Sequence, residues 1–357
     1  RYNPAMRNMT NRSMTNLDVL RSVAITLVVV DHTLLSRGIE RWHSWYIGDV
    51  GLFGVYLFFV HTSLVLMWSL ERRPNTLDFY VRRIFRIYPL AVLTILIAAA
   101  THAPVSSAPF HYFHAVAINR KALIFNLLLI FDLKWSIPPI HGVTWSLPPE
   151  LYMYLLLPVL FVYAHTVRKI WPLLGIWLLV VCFDTHFFDV SVGNNFPVLI
   201  PDFLCGVIAY VGFMRKRQLL PAWVLLPLLA ILFAGYMSLH EIRADWYACL
   251  VLALVLPYLR QCSSTTTERT SHTIAKYSYG MYLFHPFSIV LGMYLLAGRP
   301  LALQLAVEVV TLVALSVAGY HAIEAPMIRL GARVAARLAG ESGLPSAESL
   351  EALEPAP

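Results

Sequence analysis

Along this chain the apolar residues neither alternate nor keep to one helical face. They come in continuous runs close to the roughly 20 residues that a helix needs to cross a bilayer. The runs cover residues 18–35, 51–70, 84–101, 145–167, 170–188, 196–214, 221–239, 245–260, 274–297 and 302–323. Each predicts a transmembrane helix, because in lipid the backbone polar groups have to be satisfied within the segment itself. The expected fold class is an all-α integral membrane protein with about ten transmembrane helices. A further run, Ala122 to Leu133, is too short to cross and leads into Lys134 and the turn-forming Ile137-Pro138-Pro139. It reads as a re-entrant or interfacial segment bordering the working cavity, since non-helical backbone at membrane depth is tolerated only against protein or water.

This pattern divides the chain into a cytoplasmic N-terminal segment (1–16), one membrane domain (17–330) and a cytoplasmic tail (331–357). The tail turns to Gly, Ser, Pro, Ala and Glu and is expected to be largely disordered. The first run is long enough to span and has no small-residue cleavage site after it, so it reads as a signal anchor. No internal repeat of the transporter kind is visible.

Composition agrees with the pattern: 58% of residues are hydrophobic and 13% charged, too few to give a polar surface. The net charge of +7 is not accompanied by a basic helix or an aromatic-basic module, so nucleic acid is not an expected partner. The basic residues sit instead in short connections. With ten spans and a cytoplasmic N-terminus, 20 of the 27 Lys and Arg fall inside and seven outside, the asymmetry of the positive-inside rule. Counting 122–133 as a full span would place Arg215-Lys216-Arg217 outside. Cys182, Cys205, Cys249 and Cys262 are widely spaced, giving no disulfide framework or zinc spacing, and no metal is expected.

Ionisable residues inside spans are expensive, and each is a functional candidate. Arg21 and His32 in the first span are eleven positions apart, which is about 20° past three full turns and roughly 16 Å along the axis. They share a face. Alone, Arg21 could snorkel to the interface and His32 could cap the helix. Arg82, Arg83 and Arg86 open the third span. As a helix they gather three guanidinium groups, with Arg82 and Arg86 an i, i+4 pair. The cluster suits phosphate oxygens, and it also suits a plain positive-inside anchor. Glu150 follows Trp145-Ser146-Leu147-Pro148-Pro149 and falls in the first turn of the fourth span, where the helix dipole favours a carboxylate. Its place beside the re-entrant stretch makes it a site candidate as well. His285 lies in an otherwise apolar span and is either a satisfied core histidine or part of the site, and His61 in the second span allows the same two readings.

These residues carry a resemblance. Leu17-Asp18-Val19-Leu20-Arg21 through Asp31-His32 resembles the first helix of the acyltransferase-3 family of membrane-bound O-acyltransferases, with its Arg, ten residues, His signature. Gly54 to Val60 resembles the second helix, and Arg82, Arg83, Arg86 and Pro89 the third. Trp145-Ser146-Leu147 with Glu150, then Tyr282 to Pro286, then Tyr320-His321-Ala322-Ile323-Glu324-Ala325-Pro326 are similar to later motifs in order. The likeness spans about residues 17 to 330. Two stretches differ: His61-Thr62-Ser63-Leu64 stands where the family often has a Leu-Ser-Gly-Phe-like sequence, and Pro148-Pro149 replaces a small-apolar pair.

The resemblance implies an acyl-CoA donor, expected to be acetyl-CoA, and transfer of a short acyl group to a hydroxyl of a carbohydrate or glycoconjugate acceptor. It implies a bacterial cytoplasmic (inner) membrane protein surrounded by membrane lipid, with both termini cytoplasmic. In the expected mechanism His32 is the general base, since its ordinary pKa suits the task, with Arg21 and Glu150 as further catalytic residues. Asp31 points about 100° away on the helix, so Glu150 is the better candidate to orient His32. Arg82, Arg83 and Arg86 would hold the CoA phosphates, and Trp145, Ser146 and His285 are candidate substrate contacts. A polysaccharide or lipid-linked glycan transporter of the same fold is the rival reading, because intramembrane Arg, His and Glu also mark transport pathways.

Overall fold

A computed structural model describes residues 14–101, 118–133, 137–187, 196–214, 218–239 and 243–339. Wherever the apolar runs lie in these segments the backbone closes its own hydrogen bonds as helix. The helices are α1 (Thr15–Ser36), α2 (Gly48–Arg72), α3 (Thr76–Thr101), α4 (Arg120–Leu127), α5 (Leu147–Val167), α6 (Ile170–Phe187), α7 (Phe196–Phe213), α8 (Leu225–Ser238), α9 (Ala244–Val255), α10 (Thr265–Ile289), α11 (Leu301–Gly319) and α12 (Ala325–Leu338). A short antiparallel hairpin, Arg41–Trp42 with Trp45–Tyr46, joins α1 to α2.

Seven of these helical stretches are long and apolar enough to cross a membrane: α1, α2, α3, Gly142–Val167 including α5, α6, α7, and Leu301–Leu338, in which α11 and α12 run on through a π-helical turn at Tyr320–Glu324. The runs expected over 221–239 and 245–260 are helical but shorter, as Ala222–Ser238 and Ala244–Tyr258. The run at 274–297 belongs to α10, which starts earlier in the polar Thr265-Thr266-Thr267-Glu268-Arg269 stretch, so its overall composition is that of a mixed helix. The last helix also passes the expected boundary at 330 and ends at Leu338, with Gly331 packed closely against Phe85 of α3. Residues 340–357 of the tail, and the Arg215-Lys216-Arg217 turn, lie outside the described residues.

Ala122 to Leu133 does not span. It forms the eight-residue α4, a turn with Leu129 at φ 54°, and a 3-10 turn at Phe131–Leu133. Asn119 caps α4 by accepting from the Ala122 N–H at 2.8 Å. The buried Asn126 then fixes the return of the chain, accepting from Ile140 N–H at 2.7 Å and donating to Ala122 O and Pro138 O at 3.0 and 3.2 Å. The polypeptide therefore enters α5 already inside the bundle, with Pro148 and Pro149 in the first turn where no helical donor is lost.

Helices α2 and α7 form the interior, each with 78% of its apolar window buried, whereas α6 and the α11–α12 stretch, at 22%, face outward. The α2–α7 contact is close because Gly206 has no side chain: a Cβ there would overlap Val60 O and Ser63 Cβ. Gly206→Val is accordingly expected to destabilise the bundle by about 1 to 3 kcal/mol or more, measured by thermal unfolding of the purified protein in detergent. Gly175→Ala, with nothing within 4 Å of its would-be Cβ, should leave stability unchanged or raise it by up to about 1 kcal/mol.

Candidate active site

Where α1, α2, α3, α5 and α10 meet, they leave an empty volume of about 850 Å³, part of it open to the surface. Its walls carry Arg21 from α1, His61 and Thr62 from α2, Arg83 and Arg86 from α3, Ser146, Glu150 and Tyr154 from the start of α5, and Ser278, Tyr279 and Tyr282 from α10. Three guanidinium groups thus converge on one chamber, and each acts on the carboxylate of Glu150. Arg21 is held by its Nε, which donates to Ser278 Oγ at 2.5 Å. Arg86 Nη2 lies 4.0 Å from Glu324 Oε1, and Tyr154 Oη donates to Glu150 one turn away. Arg83 is 9% exposed and its buried Nε has no hydrogen-bond partner among the described residues. Three guanidinium groups around the two carboxylates Glu150 and Glu324 make the chamber chemically suited to an anion, since planar guanidinium forks match phosphate or carboxylate oxygens.

Arg82 stands apart from this group. Its Nε donates to both Asp78 carboxylate oxygens at 2.9 Å, an i, i+4 pair with the acid toward the helix N-terminus, and it does not line the chamber. Arg83 and Arg86, at i, i+3, are the pair that points inward. Trp145 packs against the apolar core and is also absent from the wall, whereas its neighbour Ser146 is present, hydrogen-bonded to Tyr282 Oη at 2.8 Å.

His32 lies beyond the chamber. Its Nδ1 is 3.0 Å from Val28 O and 3.2 Å from Asp31 Oδ2. Both are acceptors, so Nδ1 carries the proton, and in the neutral ring Nε2 is the basic nitrogen. This corrects the expected orienting role of Glu150. Glu150 sits among the arginines, because α5 begins inside the bundle, while the adjacent Asp31 side chain folds back along α1 to reach the imidazole. His285 packs edge-on against His32 with ring centroids 4.8 Å apart, and Tyr282 lies 6.1 Å from His285 on the other side. Phe58 of α2 closes on Tyr282 at 6.3 Å. A layer of Tyr282 and His285 therefore separates the guanidinium chamber from His32, whose side chain is 24% exposed.

Helices α1 and α10 run parallel, which sets Ser22 beside Ser271 near their starts, Arg21 against Ser278 midway along α10, and His32 against His285 farther along. Tyr154, Ser278 and Tyr279 are wall residues that the sequence does not single out, and Tyr282, noted there only within the Tyr282–Pro286 motif, joins them. Tyr154 was accessible through its i, i+4 relation to Glu150. Ser278 carries no sequence signal, since its role comes from the α1–α10 register. Among the described residues no group of three or more His, Cys, Asp or Glu is gathered as a metal site.

Residues 14–321, most of the 357-residue chain, match the acyltransferase domain. The chain belongs to the acyltransferase-3 family. This membrane acyltransferase is also similar to nodulation protein 10 of Rhizobium leguminosarum bv. viciae, with 25% identity over 368 residues, covering 90% of this chain and 95% of that protein. No solved structure matches it.

The acyltransferase's guanidinium chamber makes a prediction that needs no acyl donor. Arg83→Ala and Arg86→Ala should each weaken pyrophosphate binding by about 10- to 100-fold, the loss of one charge-assisted contact. Arg82→Ala, which faces Asp78, should change it less than about threefold. Isothermal titration in detergent measures both, and the affinity should fall as salt rises.

Proposed function

We propose that this protein transfers a short acyl group, acetyl in the simplest case, from acyl-CoA to a hydroxyl of a carbohydrate or glycoconjugate. The observation carrying this reading is the pairing of an anion-suited chamber holding Arg21, Arg83 and Arg86 with a differently situated histidine, His32, across the Tyr282–His285 layer. Phosphates of the donor would lie with the arginines, and the thioester would extend toward His32. The chamber is partly open to the surface, as entry of a long donor requires.

In the reaction the acceptor oxygen attacks the thioester carbonyl carbon while His32 Nε2 takes the hydroxyl proton. The tetrahedral intermediate collapses, the carbon–sulfur bond breaks, and the imidazolium returns the proton to the leaving thiolate. The products are an ester and a free CoA thiol. Asp31, beside Nδ1, stabilises the transient imidazolium. Arg21 positions the donor at the entrance to this path.

In this reading α8, α9 and α10 cross the membrane together with the seven long apolar helices. That makes ten spans in a bacterial cytoplasmic membrane, with N- and C-termini in the cytoplasm. The guanidinium chamber then opens toward the compartment that supplies acyl-CoA, and His32 lies nearer the outer side.

The test is CoA release from acetyl-CoA by purified protein supplied with a panel of neutral, N-acetylated and acidic oligosaccharides. His32→Ala should lower acceptor-dependent release by about 10² to 10⁴-fold with acetyl-CoA affinity unchanged. Arg21→Ala should weaken both binding and turnover. Wild-type rates in a well-folded His32→Ala protein would remove the base, and no CoA release from wild type with any acceptor would favour transport. Orientation is tested separately by cysteine labelling. The exposed Lys169→Cys should react only from the cytoplasm and Trp42→Cys, at a position 64% exposed in the α1–α2 hairpin, only from outside.

A further inference from the structure

Helix α11 faces outward along most of its length, yet Gln304 and Glu308, one turn apart, are 3% and 2% exposed. Both turn inward against α1 and against the end of α10. There Val290–Tyr294 is a π-helical turn, a local widening that recurs at functional sites. Gly292 at its centre admits α11 so closely that a Cβ would lie 2.6 Å from Gln304 O and 2.7 Å from Glu308 Cβ. Glu308 Oε1 is 2.5 Å from the hydroxyl of Thr33, the residue after His32, while Glu308 Oε2 is buried without a hydrogen-bond partner among the described residues. Gln304 Oε1 accepts from Arg37 Nη1 at 3.2 Å, and its amide donates to Arg299 O at 2.8 Å. Arg37 is exposed, so its hydrogen bond to Gln304 links the buried pair to the surface.

We infer that Glu308, Gln304 and Arg37 form a binding subsite for a neutral polyhydroxyl group, the acceptor sugar, beside His32. The identification of that sugar as acceptor rests on the transferase reading above. A carboxylate, a primary amide and a guanidinium are planar groups that offer paired acceptors and donors, the geometry that adjacent hydroxyls answer. The carboxylate and guanidinium balance in charge, so the set does not favour a phosphate, as the arginine chamber does, or a cation. Its position next to Thr33 places it on the His32 side of the Tyr282–His285 layer. The unpartnered Glu308 oxygen supplies the acceptor that a buried hydroxyl would otherwise lack, and a charged acceptor holds a hydroxyl more strongly than a neutral one.

Glu308→Gln tests this, because glutamine keeps the volume and an oxygen for Thr33 and removes only the charge. If Glu308 only fastens α11 to α1, the variant behaves as wild type. If it binds acceptor, the acceptor concentration for half-maximal CoA release should rise about tenfold, with half-saturation by acetyl-CoA unchanged within twofold. Gln304→Ala should raise the same quantity several-fold. In parallel, glucose, N-acetylglucosamine, maltotetraose and cellotetraose are tested for raising the melting temperature of the wild-type protein, an effect the Glu308→Gln protein should lose. CoA release with unaltered acceptor half-saturation in both variants overturns the subsite and leaves the transferase reading standing. No CoA release from wild type, with a sugar-dependent melting shift that Glu308→Gln abolishes, overturns the transferase reading and retains the subsite. A wild-type protein that none of the four sugars stabilises and whose variants keep normal acceptor kinetics overturns it outright.

Discussion

A guanidinium among apolar helices is held in place only if its charge is answered, since removing it from water costs several kcal/mol even after relaxation. Arg21, Arg83 and Arg86 turn toward one chamber, and the surrounding architecture follows from answering them. Glu150 has to reach them from inside the bundle, which requires α5 to begin there. That in turn requires the chain between α3 and α5 to fold back without crossing, the turn that Asn126 fixes. Glu324 answers Arg86 from the π-helical turn between α11 and α12. With three cations against two carboxylates, the charge is not fully balanced by the protein. The remainder is what makes the chamber suited to an anion.

The first helix was legible from spacing alone, because Arg21 and His32 share a face by simple helical arithmetic and no neighbour displaces either. The arginine cluster was legible only in part. Arithmetic gave Arg82 and Arg86 as a pair, but the acid at Asp78, one turn before Arg82, takes that side chain and leaves Arg83 with Arg86. Asp78 was visible in the sequence, and the competition between a local carboxylate and a distant cavity was the signal to weigh. The depth of Glu150 was not legible, since apolar length places a helix in the membrane without saying where its neighbours begin. Asp31 was not legible for a different reason. Backbone directions 100° apart do not prevent two adjacent side chains from meeting when one is a short acid and the other an imidazole, as their 3.2 Å separation shows.

Span counting shows the same limit. A long apolar run is recognised by itself, which is why α1, α2, α3, α6 and α7 stood out. Helix α10 carries Ser278, Tyr279, Tyr282 and His285, and its polar opening makes it poor as a lipid-facing segment and useful as a wall. Composition and site chemistry compete for the same residues, so a long helix with a weak apolar signature is the one that contacts both the guanidinium chamber and His32.

That double contact explains how two chemically unlike compartments can be coupled. Tyr282 hydrogen-bonds Ser146 on the chamber side, and His285, one turn away, meets the ring of His32. The π-helical turn that follows, Val290–Tyr294, brings the same helix against Gln304 and Glu308. One helix therefore fixes the distance between the arginines, the histidine and the buried carboxylate of α11. A displacement of α10 along its axis would move all three contacts together, whereas rotating a single side chain would alter only one. The register of α1 against α10 is thus a geometric quantity on which all three contacts depend. Arg21 and Ser278 set it at one end, His32 and His285 at the other.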